Sequence, residues 1–184
     1  MLEVIKGGNP DRFVNQYEAV QLLFHPFMFT NPLLQPGQEN VVNAWGVTNT
    51  FPKGVPGSFP VHTPDKIVVK DIEDWKDYVH APSLKFTQDQ WDMVKAQYDA
   101  VDGEQAFKAA FVAPGLFEQT HHLCEISNAL VYYITNPDEM HDLIKYLTEW
   151  ELELAEGICS NLHPDALFHH CLLYTSPSPR DRTR

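Results

Sequence analysis

The chain has 184 residues, 43% apolar and 12% aromatic, with a formal net charge of -12 at neutral pH. That composition is globular rather than disordered, and its acidity argues against nucleic acid, whose phosphates need a basic surface. No apolar run approaches the ~20 residues of a membrane-spanning helix, Met1–Gly8 lacks the basic-then-apolar pattern of a secretory signal, and Cys124, Cys159 and Cys171 suggest neither a disulfide framework nor a zinc ribbon, so a cytoplasmic, small-molecule protein is expected.

Residues 1–60 are rich in Pro and Gly. Leu2–Lys6 reads as a short helix stopped by Gly7-Gly8, Phe13–Tyr17 as a first strand, and Val41-Val42 as the start of a second that ends near Trp45-Gly46. Thr50–Pro64, with its prolines and glycines, reads as one long loop.

Beyond Pro64 the pattern becomes regular. Ile67–Val69 is expected to be extended, and Asp71 to cap a short helix with Ile72, Trp75 and Val79 on one face. Thr87–Gln90 has the form of a capping box, opening a helix with Trp91, Val94, Tyr98 and Val101 on one stripe, ended by Gly103. Ala106–Val112 reads as a buried strand, Pro114-Gly115 as a turn, and the next stretch as a helix running through Leu123 and Leu130. Asn136-Pro137-Asp138-Glu139 is a helix start, followed by an apolar face of Met140, Leu143, Ile144, Leu147, Leu154 and Ile158. Asp165–His169 reads as a second buried strand. Strands alternating with helices imply parallel pairing and an α/β fold.

Residues 171–184 break this pattern. They carry Ser, Pro and Arg with no amphipathic period, and residues 171–181 resemble, residue for residue, the in-frame translation of a transposon-type sequencing adapter. The segment is therefore expected to be a non-native tail and is set apart from the domain expected at 1–170. The adapter would begin one base earlier, leaving the third base of the His170 codon foreign as well and glutamine the alternative there.

Several short motifs recur in order along residues 1–170: Gly8-Asn-Pro-Asp-Arg-Phe13, Ala44-Trp-Gly-Val47, Pro56-Gly-Ser-Phe-Pro60, Phe111-Val-Ala-Pro-Gly-Leu-Phe117, Asn136-Pro137 with His141, and Asp165-Ala-Leu-Phe-His-His170. Together they resemble the uroporphyrinogen decarboxylase superfamily. The resemblance implies a (β/α)8 TIM barrel of ~250 residues with its active site at the C-terminal strand ends, of which this chain would hold the N-terminal half. It also implies a branch. The family's decarboxylases carry an Arg-Gln-Ala-Gly-Arg motif for the substrate's carboxylates, whereas Glu18–His25 has no arginine and Asn43 stands where a family aspartate precedes Trp-Gly. The pattern is more similar to the corrinoid-dependent methyltransferases, which move a methyl group to a zinc-activated thiol. Zinc and a corrinoid, the latter possibly on a partner protein, are then implied for the parent enzyme. The zinc ligands, a His-x-Cys pair and a later Cys, would lie beyond residue 170. The alternatives are a cofactor-free uroporphyrinogen decarboxylase of porphyrin biosynthesis and a truncated product with no catalysis. A zinc hydrolase is disfavoured, since the nine histidines include no His-x3-His pair.

Candidate site residues follow from position. His169 and His170 end a strand where barrel catalysis sits, against the plainer reading of a satisfied buried histidine. Glu118, His121 and His122 open the helix after the Pro114-Gly115 turn, and Glu118 can equally be a first-turn acid stabilised by the helix dipole. His121 and His122 project about 100° apart on a helix, so one of them is expected to face the site, and by resemblance His122 falls near a substrate-contacting tyrosine. Asn43 and Trp45 follow an early strand, with core packing the alternative for Trp45. Asn43 or Trp45, Glu118, one of His121 and His122, and His169 are expected to share one concave face; Glu118, His169 and His170 are expected as catalytic groups, and Asn43, Trp45, His121 and His122 as substrate contacts. His141 reads as a surface residue, and Cys124 and Cys159 as structural and buried.

Overall fold

A computed structural model describes residues 20–30 and 34–170. The expected Leu2–Lys6 helix, the Phe13–Tyr17 strand and the 171–184 tail lie outside the described residues.

The fold is mixed α/β. Strands β1 (Val20–Leu23), β5 (Phe107–Val112) and β6 (Ala166–His169) form a parallel sheet in the order β1-β5-β6. The parallel pairing expected of the segments at 106–112 and 165–169 is therefore present, with Val112 opposite His169. A separate antiparallel sheet joins β2 (Val41–Val42), β3 (Thr48–Thr50) and β4 (Phe59–Pro60). The stretch read as one long loop thus contains a strand: Pro60 and Phe59 pair with Asn49 and Thr50. Proline serves here because β4 is an edge, where a missing N–H costs no ladder bond.

The helices are α1 (Pro26–Thr30), α2 (Trp75–Tyr78, preceded by a 3-10 turn over Ile72–Asp74), α3 (Gln88–Asp99), α4 (Leu116–Cys124), α5 (Ile126–Thr135) and α6 (Pro137–Leu162). Asp71 caps the 3-10 turn by accepting from the Glu73 N–H, as the sequence implied, and Ile72, Trp75 and Val79 are buried together. Thr87 and Gln90 form the reciprocal capping box that opens α3, whereas α3 ends at Asp99, before Gly103. Ile67–Val69 joins no strand; the Val69 N–H instead donates to the Leu123 carbonyl at the end of α4.

One helix was expected through Leu123 and Leu130, and two are found. Glu125 breaks them with φ 73° and ψ 146°, a conformation ordinarily left to glycine. Its carboxylate accepts from the Ser127 and Asn128 N–H groups, capping α5 as the backbone turns.

Period-2 alternation gives the sheet two faces. Ala110 and Val112 lie beneath α3 and α6, in a core with Trp91, Val94, Tyr98, Leu154, Ile158 and Leu162. Tyr98 Oη donates to the Phe24 carbonyl, tying α3 to the end of β1. On the opposite face Val20, Leu22, Phe107 and Phe168 are exposed, with Ala109 buried between them. Strand β6 was expected to be buried, and it is exposed along its length because no strand flanks its outer edge among the described residues. Cys124 is buried as expected; Cys159 is exposed, on the outer side of α6. His141 is a surface residue. No helix among the described residues is long and apolar enough to cross a membrane.

Candidate active site

A recess of about 120 Å³ opens beyond the C-terminal ends of β1 and β5, lined by Phe27, Asn43, Trp45, Asn49, Ala113, Pro114, Gln119, His122, Leu147, Trp150 and Glu151. Three of the seven sequence-derived candidates, Asn43, Trp45 and His122, meet there.

Asn43 is fixed by its own turn. Its Oδ1 accepts from the Trp45 and Val47 N–H groups, its N–H donates to the Val47 carbonyl, and Gly46 closes the turn at φ 79°. The turn aims Trp45 into the core, where its ring meets Trp150 edge to face at 5.0 Å, and Trp150 meets Phe27 likewise at 4.9 Å. Trp45 is therefore both a core residue and a wall of the recess, so the two readings of it converge.

Of the adjacent histidines on α4, it is His122 that lines the recess, and burial holds its imidazole neutral by lowering its pKa to about 3. The His122 carbonyl accepts from His62 Nε2 at 3.1 Å. His121 turns away, edge to face with Phe117 at 5.5 Å, and its buried Nε2 has no partner; its pKa too is lowered by burial.

The catalytic candidates divide. Glu118 Oε2 accepts from the Gly115 N–H at 3.2 Å and from His170 Nδ1 at 3.3 Å. Its first role is thus to cap α4; its second is to hold the end of β6. His170 lies over Phe111 and Phe168, at ring separations of 6.1 and 6.4 Å, on the open side of the sheet. His169 points the other way, toward α6, where Nε2 meets Glu151 Oε2 at 3.0 Å. The alternation that makes β6 a strand sends these neighbours to opposite faces. The expected single concave face therefore becomes two: Asn43, Trp45 and His122 share the recess, which His169 reaches only through Glu151, while Glu118 and His170 form a pair beside it.

Three residues outside the candidate set complete the picture. Glu151 lines both the recess and a second, apolar cavity of about 160 Å³ between β6 and α6, which His169 also lines. Burial raises its carboxyl pKa, and His169 pulls it back down. Glu151 is legible as the acid that follows Leu147 by one turn on the apolar face of α6. Gln119 is only 5% exposed, and its Nε2 has no acceptor. His25, at the end of β1, donates from Nε2 to the Phe111 carbonyl at 3.0 Å, locking β1 to β5; burial lowers its pKa to about 4.

Searches against family models, curated proteins and solved structures find no match to the chain.

Proposed function

We propose that this chain is the N-terminal part of a (β/α)8-barrel enzyme of the uroporphyrinogen decarboxylase type, in the branch that transfers a methyl group from a corrinoid to a zinc-activated thiol. The observation that carries the reading is the winding of the sheet. Strands β1, β5 and β6 add in chain order, and the helices of both crossovers, α3 and α6, pack on one face. A doubly wound sheet reverses direction and covers both faces; a barrel winds one way and leaves its inner face to the strands that close it. The recess also opens where barrel active sites lie, beyond the C-terminal strand ends.

The choice of branch is supported by charge. No lysine or arginine among the described residues lines the recess, whereas a substrate with many carboxylates needs guanidinium partners. Among the described residues no three His, Cys, Asp or Glu side chains converge on a metal position. The described residues therefore do not fit zinc by themselves. What they supply is an aromatic wall of Phe27, Trp45 and Trp150, a neutral His122, and a Glu151–His169 pair able to hold a proton.

The test is to extend the chain with the coding sequence that follows residue 170 in its gene and assay the product. Bound zinc and methyl transfer from methylcobalamin to a thiol are expected. A zinc-free product that decarboxylates uroporphyrinogen would overturn the branch and keep the fold.

A further inference from the structure

We infer that α5 is a dimerisation helix, its outward ridge of Ile126, Leu130 and Ile134 packing on the same helix of a second copy of this chain about a two-fold axis near Leu130. The helix takes no part in the recess, so the inference goes beyond the proposed function and does not rest on it.

The first observation is the distribution of apolar side chains around α5. One side is seated in the core: Ala129 is buried, and Tyr132 and Tyr133 pack against the same cluster, their hydroxyls bonded to the Lys70 carbonyl and to Thr120 Oγ1. The other side carries Ile126, Leu130 and Ile134 at i, i+4 and i+8, with the row Ser127, Val131 and Thr135 beside them. All six are exposed, and Ile134, at 83%, is more exposed than any other large apolar side chain described. A surface helix ordinarily has one apolar stripe and one polar face. Here a second apolar stripe lies in water, which marks a contact surface.

The second is the polar inventory of that face. Ile126–Thr135 contains no charged residue, although the chain carries a net charge of -12. The two outward hydroxyls are already bonded within the chain, Ser127 Oγ to Glu125 Oε1 at 3.2 Å and Thr135 Oγ1 to Asn136 Oδ1 at 2.7 Å. The face can lose its water without leaving either hydroxyl unpaired.

The third singles out a second copy as the occupant. Rows spaced by four are the ridges of the commonest helix packing, which crosses at about -50°. A ridge of large side chains beside a row of smaller ones is complementary to itself: each copy's ridge lies over the other's smaller row, and a two-fold axis makes both fits at once. Two chains this acidic repel across most of their surfaces, and an uncharged window is where they can meet. The crossing also carries the acidic flanks, Glu125 and Asp138-Glu139, away from each other. A lipid surface fits less well, because helices that lie on membranes carry Lys and Arg beside the apolar face, and these flanks are acidic. A contact made by one helix is small by the standard of specific interfaces, so the dimer should be weak and dissociate on dilution.

Sedimentation velocity on the 184-residue chain, from about 1 to 300 μM, covers the range of such contacts. A monomer–dimer equilibrium is expected. Leu130→Glu should weaken it at least about thirtyfold, the ~2 kcal/mol of a central interface residue, with the circular dichroism spectrum unchanged because Leu130 is half exposed. Leu22→Glu, on the open sheet face, should leave the dimer intact. With Cys159 and Cys171 replaced by serine, Leu130→Cys should give a disulfide-linked dimer under mild oxidation, since a residue beside a two-fold axis meets its own copy, and Leu22→Cys should not. A chain that stays monomeric throughout overturns the inference, and so does a dimer lost in Leu22→Glu and kept in Leu130→Glu, which would place the contact on the sheet. Binding of the monomer to phosphatidylcholine–phosphatidylglycerol vesicles, abolished by Leu130→Glu, would overturn it in favour of a lipid surface.

Discussion

The two faces of one sheet differ more than any other pair of regions in the molecule. On the covered face, Ala110 and Val112 are 0% and 5% exposed, beneath α3 and α6. On the open face, Leu22 is 50% and Phe107 60% exposed, with Val20 and Phe168 beside them. The open face is apolar along all three strands, while the covered face mixes Ala110 and Val112 with Gln21, Lys108 and His169; an apolar face on the outside of a covered sheet is the composition of parallel strands meant to be buried on both sides. An exposed apolar face of this kind marks a surface built to be covered. The covering layer also thins at β6, where the apolar cavity between Leu167, Leu152 and Ala155 stands where a further helix would pack. In the proposed barrel, the inner face and this cavity are filled by the elements that follow.

The contrast is broken most directly by truncating one side chain on each side. Ile158→Ala, beneath the covered face, should lower unfolding stability by about 2–5 kcal/mol, the cost of a large-to-small change in a packed core. Leu22→Ala on the open face should cost less than about 0.5 kcal/mol, because it loses little that is buried. Urea unfolding of the two variants measures the difference. Equal losses would mean that the open face is covered in solution.

A second test uses pH. His25 is buried just past the end of β1, bonded to the Phe111 carbonyl of β5, and its folded-state pKa is lowered to about 4 from an ordinary 6.5. The sign follows from which state holds the proton. Between these values the unfolded chain binds it and the folded chain does not, so stability is complete above about pH 6.5 and falls as pH drops toward 4. For His25 alone the loss by pH 4.5 should be about 2 kcal/mol, with His122, lowered to about 3, adding to it. Urea midpoints measured from pH 7.5 to 4.5 should show this fall, and His25→Gln should flatten part of it. A wild-type profile flat over that range would mean that the strand-end histidines are open to water.

What was legible in the sequence was local. The Thr87–Gln90 capping box and the Asn136-Pro137 start open helices where expected, because caps act within one turn of chain. The parallel pairing of the segments at 106–112 and 165–169 was legible from alternation of elements. The break at Glu125 was not, since its cause is a long-range one: the Leu123 carbonyl is met by the Val69 N–H, and the carboxylate pays for an unusual backbone angle by capping the next helix. The exposure of β6 was also hidden, because an apolar segment declares that it can be buried and not what buries it. In the site, Asn43 lines the recess as its place after an early strand suggested, while the commitment of its Oδ1 to its own turn is a detail of loop geometry that the sequence does not print. His169 and His170 are separated by strand alternation alone, one meeting Glu151 and the other Glu118. An acid within the Met140–Ile158 apolar face is the one sequence signal for Glu151, which lines both cavities.

The helix cap on the covered side gives a smaller effect. Thr87→Ala removes the acceptor for the Gln90 N–H and should cost about 1 kcal/mol. Cys159→Ser, on the exposed side of α6, should change stability by less than about 0.5 kcal/mol. Thermal melts of the pair sharpen the comparison by showing that it is the layer between α3, α6 and β5 that carries cooperativity. A larger loss for Cys159→Ser would place an unrecognised contact on the outer face of α6.

The smallest effect tests how tightly that covered layer is packed. Gly157 lies inside α6, where glycine is unfavourable by about 1 kcal/mol relative to alanine because its backbone loses more freedom on folding. A Cβ at this position would meet the Trp91 ring of α3 at 3.5 Å, an ordinary van der Waals contact. Asn161 Nδ2 donates to the Gly157 carbonyl at 2.8 Å, and a methyl group leaves that bond in place. Gly157→Ala should therefore stabilise the protein, by up to about 1 kcal/mol, or roughly 2–4 °C in melting temperature for a chain of this size. Gly157→Val is the control: its two further methyl groups have only the Trp91 ring to displace, and overpacking of that kind costs about 1–3 kcal/mol. A rise for alanine with a fall for valine would fix the α3–α6 spacing at the observed contact. A fall for alanine as well would mean that the helices sit closer than 3.5 Å allows, with glycine present because the backbone of α6 must approach Trp91.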